Sequence, residues 1–504
     1  MRRYLVCVLG VAACLVLFAT GGLAANDELR IGSKKFTESV ILADIAVDLG
    51  RAEGGRVVHR QELGGTRILW DALLAGTIDL YPEYTGTLIN EILAGEAIAN
   101  EAELTAALAR RGIRMSRSLG FSDTYALAVL PGTADRLKIA RISDLVAHPT
   151  LRLGFSNEFL NRADGWPALR DAYGLPAHTP TGLDHDLAYR ALADGSIDVI
   201  DVYTTDAEIA SYGLRILDDD RRHFPVYDAV FLYRADLFER RPDLVRAILR
   251  LEGRIDVPAM IAMNAAVRND RRSETAVAAA FVERQFGLLI TGEGDSVAVR
   301  VWQRTLEHLT LTLISLSAAI VVALPLGIIA AYRPRVGRLI LGVVSVIQTI
   351  PSLALLVFMI PVLGIGAPTA IVALFLYSLL PIVRNTATGL SGITPPIRDA
   401  AIALGLTSWR RLIRVELPMA SPSILAGIKT AAIINIGTAT LGALIGAGGY
   451  GQPILTGIRL DNFALILEGA VPAALMALAA EGLFDLAGLY MIPRGLRLKR
   501  SIRD

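Results

Sequence analysis

Cysteine is nearly missing from this chain of 504 residues: only Cys7 and Cys14 occur, both within the first twenty positions. A mature chain without that stretch has neither a disulfide nor a thiolate metal site. The six histidines, His59, His148, His178, His185, His223 and His308, are scattered. No HExxH pair puts two of them on one helical face, so the signature of a zinc hydrolase is missing. An excess of one charge is lacking too. Fifty Lys and Arg against 49 Asp and Glu leave a formal net charge of +1, which gives no electrostatic reason to expect nucleic acid. No GxxxxGK[ST] loop is present to cradle a nucleotide phosphate.

Apolar residues are abundant and unevenly spread. From about Leu306 to Ile492, long apolar segments alternate with short Arg-rich or Gly-rich loops, whereas from Asp27 to about Gly287 charged residues run through ordinary globular sequence. Length and this contrast imply at least two domains. The expected division is a leader over 1–25, an α/β domain over 27–287, a linker over 288–303, an all-α membrane domain over 304–493 and a tail over 494–504.

The N-terminus reads as an export signal. Arg2 and Arg3 form a positive start, Tyr4 to Phe18 is apolar, and Gly22-Leu23-Ala24 offers small residues for cleavage. Val11-Ala12-Ala13-Cys14 also fits a lipoprotein site, and an uncleaved anchor is the third reading.

A membrane span needs about 20 mostly apolar residues. Five stretches qualify, roughly 306–331, 339–362, 369–390, 421–446 and 464–492. Arg333, Arg335 and Arg338 fall between the first two. Arg398, Arg410, Arg411 and Arg414 fall between the third and fourth, and Arg494, Arg497, Lys499, Arg500 and Arg503 follow the fifth. The positive-inside rule then places the C-terminus in the cytoplasm and the first domain outside the inner membrane.

The loop after the third span carries Asp399-Ala400-Ala401, then Gly405, Val415, Leu417 and Pro418. This spacing resembles the coupling loop of binding-protein-dependent ATP-binding cassette permeases, with Asp for the usual Glu and Val for the usual Ile. The alanines allow close helix approach, Gly405 permits a turn, and Pro418 is expected to end a second short helix. The bland alternative is a basic amphipathic loop on lipid headgroups. The resemblance extends over 303–490, with Gln348-Thr349-Ile350-Pro351-Ser352 and Pro381-Ile382-Val383-Arg384-Asn385 also in keeping. It implies cytoplasmic ATPase subunits as partners, with ATP bound there and no cofactor on this chain. A single five-span half cannot easily enclose a pathway, so a two-fold homodimer is expected.

Polar residues at membrane depth, including Gln348, Asn435 and Thr438, either line a path or bond helix to helix. Glu481 and Asp485 share one face of the last span, towards the protein interior or a neighbouring subunit. Gly446-Ala447-Gly448-Gly449-Tyr450-Gly451 matches GxGxxG, but it follows a membrane helix with no βαβ context. It is read as a glycine-rich turn.

In the first domain, Leu29–Gly32, Arg56–Gln61, Ile78–Tyr81, Tyr125–Leu130, Leu151–Phe155 and Asp198–Val202 read as strands, and Asp44–Arg51 and Ala102–Arg111 as helices. Two chain crossings, near Tyr125–Pro131 and Phe224–Phe231, divide it into two lobes around a cleft. Five motifs carry a further resemblance: Gly32-Ser33-Lys34-Lys35-Phe36-Thr37-Glu38, Leu80-Tyr81-Pro82-Glu83-Tyr84-Thr85-Gly86-Thr87, Asp123-Thr124-Tyr125-Ala126-Leu127-Ala128-Val129, Glu158 to Trp166, and Asp201-Val202-Tyr203-Thr204-Thr205-Asp206. Their order is similar to that in the binding proteins of osmoprotectant uptake systems for glycine betaine, choline and carnitine. The fold implied is a two-lobed, venus-flytrap periplasmic-binding-protein domain.

A trimethylammonium group has no N–H to donate, so a site must hold it by shape and by aromatic faces, each worth roughly 0.5–2 kcal/mol. The resemblance implies a tyrosine cage from Tyr81 or Tyr84 with Tyr125, Tyr203 and Tyr227; singly, each is as readily a packing residue. The four tryptophans, Trp70, Trp166, Trp302 and Trp409, do not suggest a tryptophan box. Donors to a ligand carboxylate are sought among Ser33, Lys34, Thr37 and Thr66, the last in a Gly-Gly-Thr turn where N–H groups converge, with Arg162 a further candidate. Relatives often have Gln after Phe-Thr-Glu, where this chain has Ser39. Ergothioneine, a betaine of histidine, therefore stays among the ligands. A sensor would need an output domain after the last span, and an enzyme a nucleophile–base pair or metal set; neither pattern is present.

Overall fold

The computed structural model describes residues 28–162, 164–176, 179–290, 296–460 and 462–493. The expected leader and C-terminal tail, and the middle of the expected linker, lie outside the described residues. The chain divides into two compact units, Ala25–Ser296 with Gly457–Asn462, and Val297–Thr456 with the segment from Phe463.

The first unit contains two five-stranded sheets. One has the order β2-β1-β3-β10-β4, built from β1 (Glu28–Gly32), β2 (Arg56–Arg60), β3 (Leu80–Tyr84), β4 (Ile113–Met115) and β10 (Ala229–Arg234). The other has the order β7-β6-β8-β5-β9, from β5 (Tyr125–Val129), β6 (Leu153–Ser156), β7 (Thr181–Leu183), β8 (Val199–Tyr203) and β9 (Arg215–Ile216). The chain leaves the first sheet after β4 and returns to it at β10, so two segments join the lobes, and Ser122 bridges Asp228 where they run side by side. The return crossing is shorter than the expected 224–231, because Ala229 onwards pairs with β3 and β4.

The strand expected at 78–81 lies further on. The Ile78 N–H is still bonded to the Ala72 carbonyl at the end of a helix, which delays the extended run. Pro82 lacks an N–H, and β3 pairs with β1 only at Leu80 while its other edge pairs along its length with β10. Helix α1 (Thr37–Ala52) is buried on nearly every face. The helices α2 (Thr66–Leu74), α3 (Asn157–Asn161), α4 (His185–Ala193), α5 (Val257–Arg268) and α6 (Glu274–Phe286) pack around the two sheets.

The second unit is helical: α7 (Val297–Tyr332), α8 (Pro334–Thr349), α9 (Ser352–Leu363), α10 (Ala367–Ser391), α11 (Pro395–Ala403), α12 (Ser408–Arg411), α13 (Leu417–Ala439), α14 (Gly451–Arg459) and α15 (Phe463–Met491). Among the described residues four helices are long and apolar enough to cross a membrane, or five if the pair α8 and α9, bent by 98°, is one span. The single stretch expected at 339–362 is thus broken. Pro351 cannot donate to the preceding turn and biases Ile350 towards extended backbone (ψ 126°).

Inside this bundle Asn435 is fully buried. Its Nδ2 donates to Ser315 Oγ and its Oδ1 accepts from Ser378 Oγ, both at 3.0 Å, tying α13 to α7 and α10. Of the two roles open for Asn435, this geometry is helix–helix bonding. Glu481 and Asp485 both meet Lys429 Nζ, at 3.0 and 2.8 Å. The glycine-rich run after α13 is a turn: Gly446, Gly448 and Gly449 all have positive φ, and Gly449 N–H donates to Glu307 at 2.8 Å.

Candidate functional site

The site begins with the pleat of three strands. Tyr125 opens β5 and Tyr203 closes β8, and these two positions are direct partners in the antiparallel register. Their rings therefore lie side by side, with centroids 5.0 Å apart. Tyr227, just before β10, meets Tyr125 edge-on at 5.8 Å. Tyr84 closes β3, and Phe36, in the loop between β1 and α1, lies 6.3 Å from Tyr84 and 5.6 Å from Tyr203. These five rings line one cavity together with Lys34, Thr87, Asp123, Glu158 and Arg162.

The alternation of a strand separates the two tyrosines of β3. Tyr84 faces the cavity. Tyr81 is on the opposite face, fully buried beside Glu83 and outside the cavity lining. Ser33 is also away from it, accepting from Glu62 N–H and bonded to His59 Nε2 at 2.9 Å. Thr66 stands behind the wall, donating to Glu158 Oε1 at 3.0 Å. Thr37 lines an adjoining chamber. Lys34, Tyr84, Tyr125, Tyr203 and Tyr227 are brought together in the main cavity; Tyr81, Ser33, Thr37 and Thr66 are not among its lining residues.

Charge is arranged at one pole. Lys34 Nζ donates to Glu83 at 2.5 Å and lies 5.5 Å from the Tyr84 ring centroid. Arg162 donates to both oxygens of Asp164 and to Thr87 Oγ1, with its guanidinium 5.3 Å from the Tyr125 centroid. Asp164 also accepts from Tyr227 Oη at 2.6 Å, which fixes that ring's orientation. Burial would raise the Glu158 carboxyl, but Lys34, Arg162 and the Thr66 hydrogen bonds hold it below its ordinary value. The two cations and the Thr87 hydroxyl can receive a carboxylate, and the aromatic faces lining the same cavity can receive a methylated cation. Thr87, Phe36, Asp123 and Glu158 were not singled out from the sequence as site residues. All four fall within the quoted motifs, so motif membership was the available signal.

The adjoining chamber shares Phe36, Asp123 and Tyr203 with the first and adds Glu38, His185, Asp186, Asp206, Glu208, Asn264 and Arg268. Burial pushes the Glu38 carboxyl up to about 7, against hydrogen bonds from Thr205, Tyr84 and Asn264 that pull the other way. Burial also drives Asp123 well above its ordinary value, with Glu38 adding to the effect. His185 is held at about 10: burial would lower it, but Asp206, 2.9 Å from Nε2, outweighs that. Ser39 accepts from Lys34 N–H at 2.9 Å and so fixes the Lys34 loop.

In the helical unit, Asp399, Ala400 and Ala401 lie on α11, and Gly405 follows it with φ +74°. There its N–H bonds to the Ile402 carbonyl, a left-handed helix end that favours glycine. Ala401 is buried, while Ile402, Leu404 and Trp409 are 54, 79 and 69% exposed. The expectation that Pro418 ends a helix is corrected: α12 runs through a π turn (Leu412–Glu416), which includes Val415, straight into α13. The widened turn leaves Pro418 at a join where its absent N–H is tolerated.

Residues 27–284 match the family described as the substrate binding domain of ABC-type glycine betaine transport systems. Residues 323–494 match the binding-protein-dependent transport system inner membrane component. Among curated relatives, the choline transport system permease protein of Bacillus subtilis is 43% identical over 197 residues, 39% of this chain and 91% of the relative. The carnitine transport permease protein of Listeria monocytogenes is 41% identical over 208 residues, 41% of this chain and 94% of the relative. A solved glycine betaine/carnitine/choline ABC transporter structure aligns with 51% of this chain and 98% of its own, at 27% identity and a TM-score of 0.43. The chain thus belongs to the ABC-type glycine betaine transport family, and joins in one polypeptide that family's substrate-binding domain and a binding-protein-dependent inner-membrane permease domain.

Proposed function

We propose that the first unit captures a small quaternary-ammonium solute such as glycine betaine, choline or carnitine outside the cell, and that the helical unit passes it inward. The observation that carries this reading is the five-ring cavity with Lys34, Thr87 and Arg162 at one end. Five ring faces satisfy a cation that cannot donate hydrogen bonds, and the charged end suits the carboxylate of a betaine. Arg333, Arg335 and Arg338 at the start of α8 and the arginines around α11 and α12 support a cytoplasmic C-terminus.

Separate ATPase subunits bind ATP and dock on Asp399–Pro418. Support comes from the exposed Ile402, Leu404 and Trp409 on that hairpin, since contiguous apolar side chains in water mark a protein contact. Two copies of the chain form the pathway, because a single half of four or five spans encloses too little. The test is uptake of labelled choline and glycine betaine into proteoliposomes holding this chain and its ATPase: ATP-dependent accumulation supports the reading, and ATP-independent leakage or none rejects it.

A second reading has one observation in its favour. The acidic chamber beside the cage shares three of its walls and suits a longer betaine with a second polar group, such as the imidazole-derived ring of ergothioneine. Competition between ergothioneine and choline for binding separates the two.

A further inference from the structure

Glu416 is completely buried, although it adjoins a hairpin whose apolar side chains stand in the open. A carboxylate is almost never buried to that extent without partners. Three reach it from three different elements. Arg411 Nε of α12 lies 3.2 Å from Oε1, Arg398 Nε of α11 faces the same oxygen at 3.5 Å, and the hydroxyl of Tyr332, the last residue of α7, donates to Oε2. Arg398 also donates through Nη2 to the Leu390 carbonyl of α10 at 2.7 Å. Glu416 itself sits in the π turn that continues into α13.

Both arms of the hairpin and the end of α7 therefore meet at one side chain, which is carried on the turn into α13 and is linked to α10 through Arg398. We propose that Glu416 is a positioning residue that fastens the hairpin to α7, α10 and α13, so that a displacement of the hairpin moves these helices together. The proposal rests on the reading of Asp399–Pro418 as the ATPase-docking loop. Without the carboxylate, the hairpin still presents Ile402, Leu404 and Trp409 to a partner. Its two guanidiniums then repel one another with no counter-charge, and α7 loses its tie. Motion of the hairpin is spent in local rotation.

The test compares Glu416→Gln, Glu416→Asp and Tyr332→Phe in the full chain assembled with its ATPase in proteoliposomes. Both ATP hydrolysis and choline uptake are measured. For Glu416→Gln we expect hydrolysis within about threefold of the parent and a fall of at least tenfold in choline carried per ATP. Glu416→Asp should recover part of that ratio, and Tyr332→Phe should lower it by a smaller factor. Equal loss of hydrolysis and uptake, or an unchanged ratio, overturns the proposal. If Glu416→Gln does not reach the membrane, Tyr332→Phe decides: a lowered ratio supports the tie and a parental ratio refutes it. Gly405→Asp run alongside tests the docking loop itself, since loss of both activities there upholds that loop whatever Glu416 does.

Discussion

Glu38 and Thr205 join the two lobes of the receptor unit: the Thr205 hydroxyl donates to Glu38 Oε2 at 2.5 Å, across 167 residues of sequence. The other oxygen of the same carboxylate accepts from the hydroxyl of Tyr84, one wall of the cage. A contact between the lobes and the position of a ring lining the cavity are thereby tied to one acid.

That acid makes the unit's stability depend on pH. Glu38 holds its proton up to about pH 7 when folded, against an ordinary value of 4.5, and Asp48 and Glu208 are also raised to about 7. The folded state binds more protons than the unfolded one between those limits. The stabilisation is complete below about pH 4.5 and is lost as pH rises through about 7. Glu38→Gln removes its share of this slope. The melting temperature of the variant relative to the parent should rise between about pH 4.5 and 7 and level off above that, and a constant difference argues against the assignment.

The cage separates two tyrosines of one strand. Tyr84→Ala and Tyr203→Ala should each weaken choline binding by roughly tenfold, the equivalent of about 1.4 kcal/mol for one lost ring face. Tyr81→Phe, which alters a buried side chain outside the cavity, should leave affinity within about twofold. Isothermal titration of the three variants checks this, and a large effect at Tyr81 contradicts the orientation of β3.

Arg162 distinguishes ligands with and without a carboxylate. Arg162→Met should weaken glycine betaine binding by roughly 10- to 100-fold, the range of a lost charge-assisted hydrogen bond of about 1.5–3 kcal/mol. Choline, which has no carboxylate, should change by less than about fivefold. Equal losses for both ligands indicate that Arg162 only supports Asp164 and Tyr227.

Much of this was legible locally. The strands over Glu28–Gly32, Arg56–Arg60 and Tyr125–Val129 follow from β-rich runs bounded by turns; Tyr125 and Tyr203 stand in quoted motifs and Tyr227 on an expected crossing, whereas the motif alone leaves Tyr81 and Tyr84 both open. Thr87 and Phe36 were harder, because their place in the site depends on two lobes meeting and not on any local period. Thr66 was attractive as part of a Gly-Gly-Thr turn, yet that turn holds the chain's own Glu158. In the helical unit hydropathy gave the spans, but not the 98° bend after Thr349 nor the continuity of α12 with α13.

Asn435 separates packing from passage. Ser315 and Ser378 each have a carbonyl on their own helix as a second partner, so losing Asn435 leaves no hydroxyl unbonded. Asn435→Leu should lower stability by about 1.2 kcal/mol, two bonds at the average of about 0.6 kcal/mol each in membranes, and leave uptake above about half of the parent. Abolished uptake in a stable variant places Asn435 on the pathway instead.

The central claim is that aromatic faces hold a methylated cation. Its most direct measurement is calorimetric titration of the full chain with choline, glycine betaine, carnitine and ergothioneine, repeated on Tyr125→Ala/Tyr203→Ala. Saturable one-to-one binding of at least one of these ligands, lost in the double variant, is the expected result. No binding of any of them, or binding that survives removal of both rings, contradicts it.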